Sequence, residues 1–243
     1  MAPFPNDRST AAPPDEGQAP LLGHVASSVM HSVINRITAV VSQGEMLKAR
    51  RLSQDEIVHK ADAIIRAALE GATLARRFAE YCRNGVAPDA TTVDLDALIA
   101  ARVEARRVDA PNGVELVADL GARSSFIGDP DRLGIMLDCL IDNAFEALAA
   151  GRQGGTVTVS TRLDSQGWLE LDVRDDGPGM SPEVMELALE PFFTTRPGHQ
   201  GLGLPLARSL WRRHRGAFSI DAPPGQGTLV RLTRPPSEPP AGA

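Results

Sequence analysis

The sequence has none of the features that would anchor it in a membrane or direct it to secretion. No window of about 18 apolar residues occurs, roughly the least that a spanning helix needs. The amino-terminal stretch is rich in proline and lacks the basic start and apolar run of a signal peptide. Cysteine is scarce: Cys82 and Cys139 lie far apart and fit no metal or redox spacing. We therefore expect a soluble protein of a reduced, cytoplasmic compartment, without a membrane span.

Basic residues are also in the minority. Lys and Arg number 25 against 31 Asp and Glu, which gives a formal net charge of −6. Long basic runs are absent, and the pairs Arg76-Arg77 and Arg212-Arg213 fit solvated helix faces better than a basic patch. The composition therefore predicts no nucleic-acid partner.

Two ends of low complexity enclose the rest of the chain. Residues 1–18 and 236–243 are rich in proline and predict disordered tails. In residues 19–86, apolar side chains recur at steps of three and four, which predicts long helices. Ser53 and Glu56 form a capping-box pattern that starts a second helix, so an antiparallel hairpin is expected. Because one hairpin cannot cover its own apolar seam, we expect it to dimerise into a four-helix bundle.

Residues 92–235 carry interleaved strand and helix patterns. Helices are predicted over 95–106, 130–150 and 202–215, with one or two short helices between 181 and 189. Strands are predicted near 114–119, 156–163, 168–174, 217–221 and 228–233. Hairpin-like links late in the chain favour an α/β sandwich with a mixed sheet, so the fold class of the whole chain is α+β.

The stretch WLELDVRDDGPGM, Trp168–Met180, directs a carboxylate at the core. Apolar and charged residues alternate from Leu169 to Arg174, and Asp175 continues the apolar side of that alternation. Gly177 and Gly179 follow at once and permit a tight turn with close backbone approach. The alternative is that the strand ends early and that Asp175 only caps a turn.

Two other elements suggest a binding site. On the predicted helix over 130–150, Asn143 lies at the edge of the apolar stripe. Its amide is either satisfied by nearby backbone or presents its oxygen to a hard cation such as Mg²⁺. The glycine-rich loop Pro197–Leu204 runs straight into a helix, and exposed N–H groups at such a start suit phosphate. A loop with this much glycine can also move as a lid.

The succession of these elements resembles the catalytic ATP-binding domain of sensor histidine kinases, a class that also includes the ATPase domains of gyrase and MutL. The matching segments are DNAFEAL, DDGPGM, EPFFTT and GHQGLGL, followed by GQGT near the last strand. The resemblance covers residues 92–235 and implies a Bergerat-type ATP-binding fold. The glycine-rich loop lacks the GK[ST] ending of a P-loop, which excludes that alternative.

The resemblance implies a site for ATP and Mg²⁺. Asp175 would accept a hydrogen bond from the adenine amino group, and Asn143 would hold Mg²⁺ against the triphosphate. The other nucleotide-binding residues that the motifs imply are Gly177, Gly179, Thr194, Thr195, Gly201, Leu202, Gly203 and Thr228. Cys139 stands where many family members carry a second polar residue, a difference that is expected to weaken metal binding without abolishing it.

One of the five histidines lies in a stretch, MHSVINRITAVV, that resembles the H box of the kinase dimerisation domain. The resemblance implies that His31 attacks the γ-phosphate of ATP. It implies that Asn35 helps to place a water that removes phosphate from a partner's aspartate. His199, in the lid, either touches phosphate or faces water. The other three are interpreted as surface or packing residues: His24, His59 and His214.

Two positions depart from the H-box pattern. Ser32 replaces an acidic residue that acts as general base, and Arg36 replaces a proline that bends the helix. Because phosphoryl transfer depends mainly on positioning and charge neutralisation, the missing base is expected to slow the reaction rather than forbid it.

The sequence therefore predicts a homodimeric histidine kinase of a two-component system. His31 would be phosphorylated from Mg·ATP, and an aspartate on a response-regulator receiver domain would receive the phosphoryl group. Because the sequence has no room for a sensor domain, the input is expected from a separate sensor or input protein or from a region outside this sequence. The alternatives are a regulator phosphatase that uses Asn35 and a non-catalytic histidine phosphotransfer or scaffold protein. An anti-sigma serine kinase is disfavoured, because it would carry neither the hairpin nor the H box.

Overall fold

A computed structural model describes residues 18–49, 52–82, 90–151, 154–196 and 199–236, with the side chains of 18–29, 31, 49, 150 and 151 left out. Most of both predicted tails, 1–17 and 237–243, lies outside the described residues. The chain divides into two compact units between Gly71 and Ala72. Within the described ranges, no helix is long and apolar enough to cross a membrane.

Two long helices form the first unit. They are α1, Gln18–Ala49, and α2, Gln54–Cys82, and the second of them continues past the division between the units. The Arg36 guanidinium lies 3.4 Å from the Glu70 carboxylate, and Lys60 Nζ donates to Gln43 Oε1 at 3.4 Å. The first contact joins the middle of α1 to the later part of α2, and the second joins the later part of α1 to the beginning of α2, so the helices run antiparallel, as predicted.

The start of α2 has the predicted capping box. The Ser53 N–H donates to Glu56 Oε2 at 2.9 Å, and the Glu56 N–H donates to Ser53 Oγ at 3.3 Å. Two N–H groups that no helical carbonyl can reach are thereby satisfied.

Large apolar side chains stay exposed along both helices of the first unit. On α1 they are Met30, Ile34, Ile37 and Val41, and on α2 they are Ile57, Val58, Ile65 and Leu69. The α1 members recur at steps of four, three and four and therefore share one face of the helix. A second hairpin could cover this face in a four-helix bundle, so dimerisation remains a prediction that the exposed face favours.

The second unit combines a mixed sheet with helices on one face. Its helices are α3, Leu95–Arg106, α4, Pro130–Gly151, α5, Pro182–Leu187, and α6, Gly203–Arg213, with a 3-10 turn at Arg107–Asp109. Its strands are β1, Thr91–Asp94, β2, Val114–Leu120, β3, Ser125–Gly128, β4, Gly155–Leu163, β5, Leu169–Asp175, β6, Ala217–Asp221, and β7, Thr228–Arg234. The sheet order is β2-β4-β5-β7-β6, in which only β2 and β4 run parallel. The α+β class with a mixed sheet is confirmed.

The core lies between this sheet and the helices α3, α4 and α6. The predicted stripe of α4 is fully or nearly buried: Leu133, Met136, Leu140, Ala144 and Ala147. The buried surface of α4 is wider than predicted and also includes Leu137, Ile141, Phe145 and Leu148. Because α3 and α6 both pack on α4 as the sheet does, more than one face of the helix is covered.

The small sheet of β1 and β3 was not predicted. Each strand has four residues, and the two pair antiparallel with Val93 opposite Phe126. Each strand has one buried apolar side chain, Val93 on β1 and Phe126 on β3. One buried apolar residue in so short a run gives no periodic signal, so the sequence does not distinguish these strands from a loop.

Two sequence interpretations of charged residues were wrong. Arg76 and Arg212 are exposed as expected, but their neighbours are half-buried. Arg77 forms an ion pair with Asp142, and Arg213 donates to main-chain carbonyls at the end of α2. These two guanidinium groups therefore bind within the second unit instead of facing solvent.

Asp172 lies on the charged side of the alternation predicted for β5, yet it is buried. Arg231 binds it with two hydrogen bonds, Nε to Oδ1 at 2.8 Å and Nη2 to Oδ2 at 2.7 Å. Arg162 Nη2 adds a third at 3.0 Å. The arginine side chains from β4 and β7 cover the carboxylate, so Asp172 is buried by its own partners.

We expect Ser53→Ala to lower the free energy of unfolding by about 1 kcal/mol, because α2 loses its cap. Chemical denaturation followed by circular dichroism measures the difference. Ser53→Thr keeps a hydroxyl at the same place and serves as the control, with nearly wild-type stability. Equal stability of Ser53→Ala and wild type would contradict a stabilising capping box.

Candidate nucleotide-binding site

Asp175 ends β5, the middle strand of the five-stranded sheet, where it pairs with Val157 and Thr228 on the neighbouring strands. Its side chain is only 4% exposed, on the same side as the apolar residues of the strand. Oδ1 accepts hydrogen bonds from the N–H groups of Gly177, at 2.9 Å, and Thr228, at 3.2 Å. The predicted orientation of Asp175 toward the core is confirmed.

The two acidic residues of the DDGPGM motif have different surroundings. Asp176 is exposed, and its Oδ1 accepts from the Thr156 N–H at 2.8 Å. Burial raises the pKa of Asp175, although hydrogen bonds from Gly177 and from the amide and hydroxyl of Thr228 act in the opposite direction. A buried carboxylate whose desolvation outweighs its hydrogen bonds is a candidate for ligand binding.

Glycine is required where the chain turns beside Asp175. A Cβ at Gly177 would lie 2.8 Å from Asp175 Oδ1. Gly179 has a φ of +69°, and a Cβ there would overlap the Pro223 carbonyl. Gly227, in the GQGT segment, has a φ of +81°, and its Cβ would overlap the Asp175 carbonyl. The sequence analysis missed Gly227 as a site residue, although the segment that contains it was part of the resemblance.

Asn143 projects from α4 toward the beginning of α6. A Cβ on Gly203 would lie 3.3 Å from Asn143 Oδ1, so glycine leaves room for the amide there. Asn143 Nδ2 is buried and has no hydrogen-bond partner among the described residues. The N-cap residue of α6, Leu202, makes no side-chain capping bond. The unpaired Nδ2 donor and the uncapped helix start suit a phosphate group, whereas a hard cation would use the other atom of the amide, Oδ1.

The segment that precedes α6 is held by main-chain contacts. The Phe192 N–H donates to the Gly201 carbonyl at 2.9 Å. Gly201 has a φ of +60°, and a Cβ there would overlap the Phe193 carbonyl. The EPFFTT motif therefore packs directly against the glycine-rich loop, and Leu202 follows as a buried residue.

The two predicted threonines of this segment have no described bond to the rest of the site. Thr194 Oγ1 accepts from the Arg196 N–H at 3.1 Å, which closes a local turn, and Thr195 is exposed. Within the described ranges, no hydrogen bond joins either threonine to Asn143 or Asp175. Their role in nucleotide binding stays a prediction.

Glu146, one turn after Asn143 on α4, is a polar residue that the sequence analysis did not assign to the site. Its Oε2 accepts from Arg196 Nη1 at 2.9 Å and lies 3.1 Å from His199 Nδ1. Arg196 directly precedes the glycine-rich loop and His199 lies within it, whereas residues 197 and 198 lie outside the described part. Its spacing of three from Asn143 was the available signal, because residues three apart share a helix flank.

Cys139 does not reach the surface of the site. It is fully buried in the core, and burial raises the pKa of its thiol to about 12. Its predicted weakening of metal binding stays untested. His214 is a packing residue, as expected: its Nε2 accepts from the Asp129 N–H at 3.1 Å, and its Nδ1 lies 2.8 Å from the Leu210 carbonyl.

The H-box residues belong to α1, in the first unit. His31 lies within the helix, and its side chain is outside the described part. Asn35 follows one turn later and is exposed. His31 belongs to the first unit, whereas the site around Asp175 belongs to the second.

Fold and site together define an ATPase domain of the gyrase and histidine kinase class. A family model described as "Histidine kinase-, DNA gyrase B-, and HSP90-like ATPase" matches residues 128–239. This range includes α4, the Asp175 strand, the glycine-rich loop and the last strand. ShkA, solved in complex with AMPPNP, has the same fold, with a TM-score of 0.65 at 19% identity over 88% of this chain and 45% of that one.

Similar proteins of known identity place the chain among the histidine kinases of this class. The chain is 29% identical to sensor histidine kinase ZraS of Klebsiella oxytoca over 219 residues, which are 88% of this chain and 46% of ZraS. It thus spans about half the length of this curated relative. The solved structure of a mycobacterial sensor histidine kinase, MprB, is 30% identical and covers 60% of this chain and 99% of its own, with a TM-score of 0.50. The chain belongs to the histidine kinase family.

Asp175→Asn removes the buried charge and keeps an oxygen for the two backbone amides. Because the folded-state pKa of Asp175 lies above its unfolded value, the carboxyl stabilises the fold fully below the unfolded pKa. That contribution is lost as the pH rises through the folded pKa. We expect the unfolding free energy of wild type relative to Asp175→Asn to fall as the pH rises from below the ordinary Asp pKa of about 3.9 to neutrality. Urea unfolding of both proteins measures this difference, and a rise would contradict the raised pKa.

Proposed function

We propose that this chain is an ATP-dependent protein-histidine kinase of a two-component system, which phosphorylates His31 and then an aspartate on a response-regulator receiver domain. One observation carries the proposal. Asp175 is a buried carboxylate held by the backbone amides of Gly177 and Thr228, at the end of the middle strand of a domain related to histidine kinase ATPases.

Asp175 recognises the base in this proposal. The carboxylate accepts a hydrogen bond from the adenine amino group, which compensates for its desolvation. Gly177 and Gly179 allow the chain to turn without side chains that would fill the space beside the base. Thr228 supports the carboxylate through its N–H.

Asn143 and the start of α6 hold the triphosphate. The amide of Asn143 is a ligand for Mg²⁺, which neutralises phosphate charge when it is bound. Gly201, Leu202 and Gly203 bring backbone N–H groups and the positive end of the α6 dipole to the phosphates. We assign Thr194 and Thr195 a weaker supporting role at the phosphate end.

His31 receives the phosphoryl group. An imidazole nitrogen forms a bond to the γ-phosphorus as the bond from that phosphorus to the β,γ-bridging oxygen breaks, and ADP leaves. The ring proton passes to solvent, since Ser32 offers no carboxylate to accept it. A receiver aspartate then displaces the histidine nitrogen. Positioning and charge neutralisation supply most of the rate enhancement, so the reaction proceeds slowly without a local base.

Two partners follow from this function. The exposed apolar face of the first unit supports a homodimer through a four-helix bundle. A receiver domain must reach His31 to accept the phosphoryl group.

The free thiols of Cys82 and Cys139 support a reducing, cytoplasmic setting.

A regulator phosphatase is the second candidate. Ser32 weakens His31 as a nucleophile, whereas Asn35 is exposed one turn away and can orient a water. In that case nucleotide binding sets the conformation of the protein and transfers nothing to His31.

Labelling with γ-labelled ATP and Mg²⁺ tests the kinase. We expect acid-labile label on wild type and on His59→Gln, a control that removes an exposed hairpin histidine. His31→Gln loses the acceptor, and Asn143→Ala loses the metal ligand, so both are expected to carry about a hundredfold less label or none. Label that persists on His31→Gln would refute His31 as acceptor. A wild type that binds ATP and stays unlabelled would favour the phosphatase.

Asp175→Asn tests base recognition. The new amide presents N–H donors to the amino group of adenine, so two donors meet. We expect ATP affinity to fall about tenfold or more, with inosine triphosphate, whose 6-oxo group accepts, losing less. Calorimetric titration of both nucleotides measures this. Asp176→Asn changes the exposed neighbour and serves as the control, with unchanged ATP affinity. Equal ATP binding by Asp175→Asn and wild type would contradict the assigned role.

A further inference from the structure

The end of α2 is bound to the helices that carry the nucleotide-binding residues. Arg77 and Arg106 each form an ion pair with a different oxygen of Asp142, the residue directly before Asn143 on α4. The Arg77 and Asp142 side chains are each 23% exposed, so solvent screens the pair only partly. Through Asp142, Arg77 fixes the turn of α4 from which Asn143 projects.

The charges around this pair balance one another. Arg102 Nε lies 3.3 Å from Asp138 Oδ1, and Arg106 Nε lies 3.3 Å from Asp109 Oδ2. Arg106 Nη1 also lies 4.0 Å from Asp138 Oδ1. Loss of Arg77 would leave the carboxylates of Asp138 and Asp142, one turn apart, with less positive charge between them. The local geometry of α4 therefore depends on a side chain from α2.

A second anchor lies one turn further along α2. Glu80 Oε2 is 3.3 Å from Arg132 Nε, and Arg132 Nε is also 3.3 Å from Asp129, whose side chain caps the start of α4. Arg213 of α6 donates to the carbonyls of Glu80 and Tyr81, each at 3.3 Å. These carbonyls belong to the last turn of α2, where no helical N–H is available to them.

Apolar contacts reinforce both anchors. Leu74 is 1% exposed, and Tyr81 packs against the core of the second unit. Residues 72–82 of α2 are thus attached to α4 and α6 by ion pairs, by hydrogen bonds and by packing. Asn143 of α4 and Gly203 of α6 lie next to each other at the proposed phosphate end of the site, so the same two helices carry both features.

We propose that residues 72–82 are a structural part of the nucleotide site and that Arg77 is a positioning residue, which acts on the nucleotide through Asp142 and Asn143. The inference rests on the proposed function. Because α2 is continuous from Gln54 to Cys82, the same helix also belongs to the hairpin. Loss of the Arg77 or the Glu80 anchor therefore lowers the affinity of the catalytic domain for Mg·ATP.

The test compares Arg77→Gln with Arg76→Gln in the full chain. Arg76 is the exposed neighbour, so its loss removes the same charge from the same helix without breaking the ion pair. We expect Arg77→Gln to weaken Mg·ATP binding about fivefold or more in calorimetric titrations, and Arg76→Gln to leave it unchanged. Amide exchange of residues 140–146 should accelerate in Arg77→Gln alone. A purely structural role would lower the melting temperature without changing either readout in the folded protein.

A double-mutant cycle shows whether Arg77 acts through Asp142. If it does, the double variant Arg77→Gln/Asp142→Asn has the same Mg·ATP affinity as the single variant with the lower affinity. Additive losses would overturn that route. If the melting curve shows that Arg77→Gln is unfolded at the assay temperature, Glu80→Gln decides by the same criteria, because it removes the second anchor only.

Two results separate this inference from the proposed function. Wild type that fails to bind Mg·ATP would refute the proposed function itself. The second result is that Arg77→Gln and Glu80→Gln both bind Mg·ATP as tightly as wild type and that their amides at residues 140–146 exchange as slowly. It would overturn the positioning role alone.

Discussion

A carboxylate can remain at the end of a central strand, on the core side of the sheet, only while N–H groups point at it. Asp175 meets this condition through the amides of Gly177 and Thr228, and much of the neighbouring sequence follows from it. Residue 177 must be glycine because a Cβ would press on the carboxylate, and residue 227 because a Cβ would press on the Asp175 carbonyl. The side chain of Asp175 thus accounts for glycine at 177, and its main-chain carbonyl accounts for glycine at 227.

The phosphate end depends on a different constraint, the packing of α4 on α6. Asn143 Nδ2 has no hydrogen-bond partner in the part of the chain that the structure describes, and its neighbour across that contact, Gly203, brings no side chain to pair with it. Glu146 draws Arg196 and His199 toward the same helix. In the proposed function, base recognition is therefore attached to the sheet and phosphate recognition to a helix pair, so a movement of the helices would change phosphate binding without disturbing Asp175.

Long periodic patterns predicted most of the fold. The helix at Leu95–Arg106 has the predicted bounds, and the alternation in β5 predicted the direction of Asp175 because side chains alternate strictly along a strand. Partners far apart in sequence could not be predicted. Arg77 meets Asp142 after a separation of 65 residues, and a basic pair on a helix carries no sign of such a partner. The burial of Asp172 could not be predicted for the same reason, since it depends on arginines from two other strands.

Amide hydrogen exchange in the free and the Mg·ATP-saturated protein tests the central claim, that the Asp175 carboxylate and its two amides form the floor of the adenine site. A bound base would restrain the turn at Gly177 and the start of β7, so the account predicts slower exchange at Gly177 and Thr228 together with the loop at Gly201–Gly203. Slower exchange in that loop alone, with Gly177 and Thr228 unchanged, would contradict it.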